Sequence, residues 1–73
     1  MATQIVLDQT GDTRHHFDPQ NDIELLEAER RFKELTGRGF TAAKRVSPGQ
    51  ATKVRSFDPT AEEIVFFPRV VGG

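Results

Sequence analysis

The apolar positions of the chain begin with a pattern typical of short strands. Residues 4–8 and 13–17 are rich in strand-forming side chains, and the cluster between them has Gly11 at its centre. Two strand candidates that flank a short glycine-containing turn are typical of a β-hairpin. The pattern therefore predicts that the chain opens with two antiparallel strands.

The next segment has the period of a helix, which we expect over about residues 22–36. Its apolar stripe consists of Leu25, Ala28, Phe32 and Leu35. Asn21 is a good N-cap, and Glu24, three residues further on, resembles the second member of a capping box. Gly37 is expected to lie just beyond the helix, at the C′ position that stops it.

Charged residues cover most of the rest of this helix, and we interpret them as a solvated face. Glu27 with Arg31 and Glu29 with Lys33 have the spacing and the order that favour ion pairs along a helix.

Beyond Gly39 the period returns to that of strands. Residues 40–46 and 52–57 flank Pro48-Gly49, which predicts a type II turn between them. The second of these strands alternates charged with smaller side chains, a pattern that suits a sheet edge. We therefore expect a second hairpin.

The motif Phe57-Asp58-Pro59 repeats Phe17-Asp18-Pro19, and only about one helical turn follows it, over residues 60–63. Residues 63–67 form the most apolar strand, with apolar side chains on both faces, so they predict a central strand. Pro68 cannot donate a ladder hydrogen bond, so strand pairing should weaken there.

This order of elements predicts an α+β fold of the β-grasp type. We expect a mixed sheet of about five strands with one main helix on one face, and the last strand between the first and the third. The β-grasp domain should cover residues 1–67, and residues 68–73 should form an extended tail. A ferredoxin-like fold is the alternative, but it needs a second full helix.

Composition narrows the classes of function. The 73 residues carry a net charge of −1 and no cysteine. This balanced charge does not indicate a basic surface for nucleic acid or for a membrane. No apolar run approaches the roughly 20 residues of a membrane span. The absence of cysteine excludes disulfides, thiolate metal sites and a cysteine nucleophile. We expect a cytoplasmic protein without a signal peptide.

The chain ends on Val70-Val71-Gly72-Gly73. Glycine allows the closest approach of another backbone, and the β-branched valines favour an extended chain. We interpret this segment as a narrow probe that presents a free carboxylate. The alternative is an ordinary unstructured chain end.

Residues 64–73 align without a gap on the last strand and tail of ubiquitin, and the chain resembles the ubiquitin-like proteins. The resemblance implies that Ile64 and Phe66 face the helix, and that Val65 and Phe67 face outward. Arg69 stands where ubiquitin has the tail arginine that its activating enzyme reads. Residues 10–14 and 31–37 differ from eukaryotic ubiquitin and resemble ubiquitin-like proteins of bacterial operons that also encode activating, conjugating and protease-like enzymes.

In such proteins a ThiF-like activating enzyme uses ATP to adenylate the terminal glycine, here Gly73 next to Gly72. Arg69, Val70 and Val71 would be read by that partner. The chain itself would be neither an enzyme nor a cofactor-binding protein. Its expected partners are the activating enzyme, a conjugating enzyme, a deconjugating protease and a lysine on a target protein.

Two alternatives remain open. The Phe-Pro pair of the tail is similar to that of molybdopterin-synthase-type sulfur carriers, in which the terminal glycine becomes a thiocarboxylate. The second alternative is a non-covalent β-grasp binding module.

Several other residues suggest sites. His15 and His16 are neighbours on a strand, so their side chains should point to opposite faces and not share a metal. Val65 and Phe67, together with Val6, are a candidate docking face. Lys33, Lys44 and Lys53 are candidate acceptors for a second copy of the chain, although solvated lysines are the simpler interpretation.

Overall fold

The computed structural model describes residues 1–68, which form five strands and one helix. Across these residues no helix has the length and apolar character that a membrane span requires. The elements are β1 (Ala2–Asp8), β2 (Gly11–Phe17), α1 (Asp22–Gly37), β3 (Phe40–Ser47), β4 (Gln50–Val54) and β5 (Glu63–Pro68).

The strands form one mixed sheet in the order β2-β1-β5-β3-β4. β1 and β5 are parallel, whereas the β1–β2, β3–β4 and β3–β5 pairs are antiparallel. The last strand therefore lies at the centre, between the first and the third, and α1 packs on one face. This is the α+β, β-grasp arrangement that the sequence predicts.

Several strand boundaries differ from the predicted ones. β1 begins at Ala2, which is buried and lies opposite Phe17 at the end of β2. Alanine is a weak strand former, so the apolar pattern did not reveal this pair. β4 ends at Val54, three residues early, because the chain bends there and Phe57 leaves the sheet to pack against the core. The Pro48-Gly49 turn has the positive φ of 78° at Gly49 that a type II turn requires.

The N-terminus of α1 is capped as expected, but the capping box does not close. The side chain of Asn21 accepts hydrogen bonds from the backbone N–H groups of Ile23 and Glu24. The carboxylate of Glu24 reaches past Asn21 and accepts from the N–H of Asp18 at 3.0 Å. It thereby ties the helix start to the end of β2.

The prediction that Gly37 lies beyond the helix, at the C′ position, was wrong. Gly37 is the last residue of α1, and Arg38 is its C-cap. The residue with positive φ is Gly39, at 100°. Glycine is favoured at the left-handed position one residue beyond the C-cap, and Gly39 occupies it.

The core forms where α1 crosses β5. Phe32 of α1 meets Phe66 of β5 edge-to-face, with ring centroids 5.6 Å apart. Phe57 extends this contact, because its ring lies 5.9 Å from Phe32 and 6.4 Å from Phe17. The phenylalanines of the two Phe-Asp-Pro motifs therefore pack against each other, and Phe57 joins the β4–β5 connection to the core.

Asp58 holds the same connection in place. Its carboxylate accepts from the N–H and the hydroxyl of Thr60, and from the Lys44 ammonium group at 2.9 Å. The Thr60 hydroxyl, followed by Lys44, keeps the pKa of Asp58 well below its ordinary value. Residues 59 and 60 form a turn, in the region where the sequence predicted about one turn of helix.

The charged face of α1 carries one of the two expected ion pairs. Glu29 and Lys33 lie 3.9 Å apart. Arg31 instead donates from Nη1 to Oε1 of Gln4 at 2.8 Å, and Nε2 of Gln4 donates to the carbonyl of Ala28 at 2.9 Å. Because Gln4 is completely buried, these bonds satisfy a polar group that would otherwise destabilise the fold.

Candidate functional site

β5 leads from the core to the start of the predicted tail. Its pairing with β1 reaches Phe66, opposite Val6, whereas its pairing with β3 continues to Pro68, opposite Phe40. The weakening expected at Pro68 therefore affects only the β1 side. Pro68 itself is exposed.

Side chains alternate along β5 as the sequence predicts. Ile64 and Phe66 point toward α1 and are 1% and 0% exposed. Val65 and Phe67 lie on the opposite face of the sheet and are only half-buried. The same strand thus supplies the core and a surface.

Val6 does not belong to the candidate docking face, so that part of the prediction was wrong. Val6 lies opposite Phe66 in the parallel β1–β5 ladder and shares its inward direction. It is 9% exposed and forms part of the core. Single-strand alternation does not say which residues face the core, because the register with β5 decides it.

The outward residues of β1 are Ile5 and Leu7, which the sequence analysis missed. Ile5 lies opposite Val65 but is only 7% exposed, whereas Leu7 is 39% exposed. Their alternation with the inward Gln4 and Val6 was the available signal. We call Ile5, Leu7, Val65 and Phe67 the outer patch.

Basic side chains border the outer patch at both edges of the sheet. A single row of cross-strand partners runs Arg14, Ile5, Val65, Ala43, Lys53. Arg14 lies on the edge strand β2 and Lys53 on the edge strand β4. Glu63 and Arg45 form an ion pair on the same face. Asp12 lies on the same face with its carboxylate 3.4 Å from Nε of Arg14, so the charge of Arg14 is partly balanced there.

The two histidines point to opposite faces, as expected. His15 lies opposite Gln4 on the helix side, and burial, followed by the charge of Arg31, lowers its pKa. His16 lies on the outer face, with Nδ1 3.0 Å from the hydroxyl of Thr3. Among residues 1–68, no group of three or more His, Asp or Glu side chains has the arrangement of a metal site.

The three lysines differ in their surroundings. Lys44 is held at 2.9 Å by Asp58 and is partly covered. Lys33 is exposed and lies near Glu29. Lys53 is exposed on β4.

Arg69, Val70, Val71, Gly72 and Gly73 lie outside the described residues, so the predictions about them stay predictions. Comparison with protein-family profiles, curated proteins and solved structures found no match to this chain. The case for a function therefore depends on the chemistry of the sequence and the geometry of the fold.

Proposed function

We propose that the chain is a ubiquitin-like protein modifier whose Gly73 carboxyl group becomes joined to an amine on a target protein. The observation that carries this proposal is the position of the Gly-Gly sequence. It follows the central strand of a β-grasp sheet after only three residues. The proposal requires that the mature protein expose the carboxyl group of Gly73.

The chemistry begins with activation, because an ionised carboxylate is a poor electrophile. The Gly73 carboxylate attacks the α-phosphorus of ATP on a ThiF-like enzyme, and pyrophosphate leaves. A lysine amine of the target then attacks the acyl carbon, and AMP leaves. Where a partner thiol attacks first, AMP leaves at that step, and the amine then displaces the thiol from the thioester. This chain supplies only the carboxylate, so ATP and the catalytic groups belong to its partners. The proposal places the chain in the cytoplasm.

The other tail residues have supporting roles in this proposal. Gly72 and Gly73 allow a narrow active-site channel to enclose bare backbone. Val70 and Val71 keep the segment extended. Arg69 provides the charge that the activating enzyme reads.

The outer patch provides a docking surface for the same partner. Leu7, Val65 and Phe67 offer apolar area on the face opposite α1, and Arg14 and Lys53 add a basic border. Phe67→Ala should therefore weaken binding to the activating enzyme. Leu26→Ala is the matched control, because Leu26 is an exposed apolar residue on α1, away from the patch.

The direct test is ATP–pyrophosphate exchange by a ThiF-like enzyme encoded near this chain. Deletion of Gly73 should abolish exchange while the circular dichroism spectrum stays unchanged. Gly37→Ala, which alters a glycine outside the tail, should leave exchange intact. If the deletion variant is still adenylated, Gly73 is not the reacting residue.

A sulfur carrier is the second candidate, favoured by the Phe67-Pro68 pair at the end of the sheet. Mass spectrometry of the protein from its native host separates the two. Peptides with Gly73 in an isopeptide bond to lysine support the modifier, and replacement of one oxygen by sulfur at Gly73 supports the carrier. If the activating enzyme is present and neither product forms, a non-covalent binding module remains.

Neighbouring genes offer an independent test. Genes for conjugating and protease-like enzymes would favour the modifier. Genes for molybdopterin or thiamine synthesis would favour the carrier.

A further inference from the structure

The two edges of the sheet are protected to different degrees. β4 has five residues, follows a proline-containing turn, carries Lys53 and lies beside a register shift between Arg45 and Ser47. Short strands, lysine, proline and bulges all discourage pairing with another chain. β2 has seven residues in unbroken register with β1 and has neither proline nor lysine. Its outer edge is the better template for an added strand.

The free backbone groups of β2 belong to alternate residues. Asp8 and Gly11 close the hairpin as a directly opposed pair, so the hydrogen-bonded pairs of the ladder include Val6–Thr13 and Gln4–His15. The N–H and C=O groups of Asp12, Arg14 and His16 then point away from β1. The N–H of Thr3, opposite His16, confirms this alternation, because it donates away from β2 to the carbonyl of Glu62 at 2.9 Å.

The side chains on this edge alternate in charge. Asp12 and Arg14 lie on the same outer face, both at least half exposed, at 50% and 59%, and within the single chain they form an ion pair at 3.4 Å. A run of like charge would repel a second copy of the strand. When a second copy of the strand runs antiparallel, an acid and a base two residues apart each lie opposite the residue of opposite charge.

We propose that β2 is a self-association edge, where a second copy of this chain pairs antiparallel through its own β2. With Thr13 on the twofold axis, Asp12 of each copy lies opposite Arg14 of the other. These opposed residues are the ones with free backbone groups, so the pairing forms about four backbone hydrogen bonds. The competing register, with Arg14 on the axis, sets two arginines opposite each other.

This contact is small and closed. A strand edge buries much less than the area of a stable interface, so the association is weak and depends on protein concentration. The dimer occupies the β2 edge of both copies, so a third copy cannot pair at the same edge. β5 and the start of the tail lie two strands away. Arg14 also borders the outer patch, so the two proposals share this residue, but self-association does not require that Gly73 be activated.

Sedimentation velocity over a wide range of concentrations, combined with hydrogen exchange, tests the pairing. A higher protein concentration should produce a dimer and slow hydrogen exchange at the amides of Asp12 and Arg14, which point outward in the single chain. A dimer without protection at these amides would overturn the assignment of the edge. A chain that stays monomeric at the highest concentration would overturn the proposal itself.

Charge exchange tests the register. Asp12→Lys and Arg14→Glu should each weaken dimerisation by about tenfold, because each turns a repeated attraction into a repulsion. The double variant should restore it, since the opposed charges again have opposite sign. Lys53→Glu, on the other edge, is the control and should leave the dimer unchanged. Failure of the double variant to recover, with all variants folded, would refute the Asp12–Arg14 pairing.

Discussion

Replacing Phe66 with alanine tests how β5 divides its side chains between the core and the outer face. The Phe66 ring is completely buried and meets Phe32 edge-to-face at 5.6 Å. Truncation of a buried phenylalanine costs about 3–5 kcal/mol, which combines the lost transfer free energy with the cavity left behind. The edge-to-face contact contributes about 0.5–1.5 kcal/mol of this cost.

The expected loss is large for a domain of this size. A 73-residue domain has an unfolding free energy of about 4–11 kcal/mol, so Phe66→Ala removes much of the total stability. Phe66→Leu keeps most of the volume and should cost only about 1–2 kcal/mol. It provides a measurable value if the alanine variant does not fold.

Urea unfolding followed by far-ultraviolet circular dichroism is the suitable assay, because the chain has neither Trp nor Tyr. Phe67→Ala is the matched control on the next residue of the same strand. Since Phe67 is half-buried on the outer face, we expect a cost of about 1 kcal/mol. If Phe67→Ala costs as much as Phe66→Ala, the assignment of the two faces of β5 is wrong.

Three further predictions concern the helix end, a histidine and an aromatic contact. Gly37→Ala should stabilise the protein by about 0.5–1 kcal/mol, because Gly37 is helical, whereas Gly39→Ala should destabilise it by about 1 kcal/mol at a φ of 100°; equal effects in urea unfolding would contradict the reassigned helix end. Burial and the charge of Arg31 lower the pKa of His15, so the unfolded chain binds a proton at this histidine more readily than the folded chain does. The free energy of unfolding should therefore fall as the pH drops from about 6.5 to the folded-state pKa of His15. His15→Gln should flatten this part of the profile of unfolding free energy against pH, and an unchanged slope would exclude His15 as its source. Phe57→Ala should lower the free energy of unfolding, measured in urea, by about 2–3 kcal/mol, because its ring contacts those of Phe17 and Phe32. A loss below about 1 kcal/mol would show that Asp58 is the main contact that holds the β4–β5 connection.

The order of elements and the position of β5 could be predicted from the sequence because each depends on a strong local signal. α1 has one apolar stripe, each hairpin has a glycine in its turn or directly after it, and β5 is apolar on both faces. These signals agree with one another and leave few ways to assemble the sheet.

Other features depend on partners that are distant in the sequence. Gln4 and Arg31 are 27 residues apart, and neither shows by itself that the arginine will bond to a buried amide instead of Glu27. The inward direction of Val6 follows from its register with β5. The helix end was ambiguous because Gly37 and Gly39 both suit a C-cap motif, and only the backbone angle distinguishes them.

The alternation along β5 separates stability from recognition. Ile64 and Phe66 contact the core, so polar or smaller residues at these positions weaken the whole domain. Val65 and Phe67 lie on the opposite face, where substitutions change the outer patch at a smaller cost in stability. Under the proposed function, the choice of partner can therefore vary at these two positions while the strand that leads to the Gly-Gly segment stays firmly held between β1 and β3.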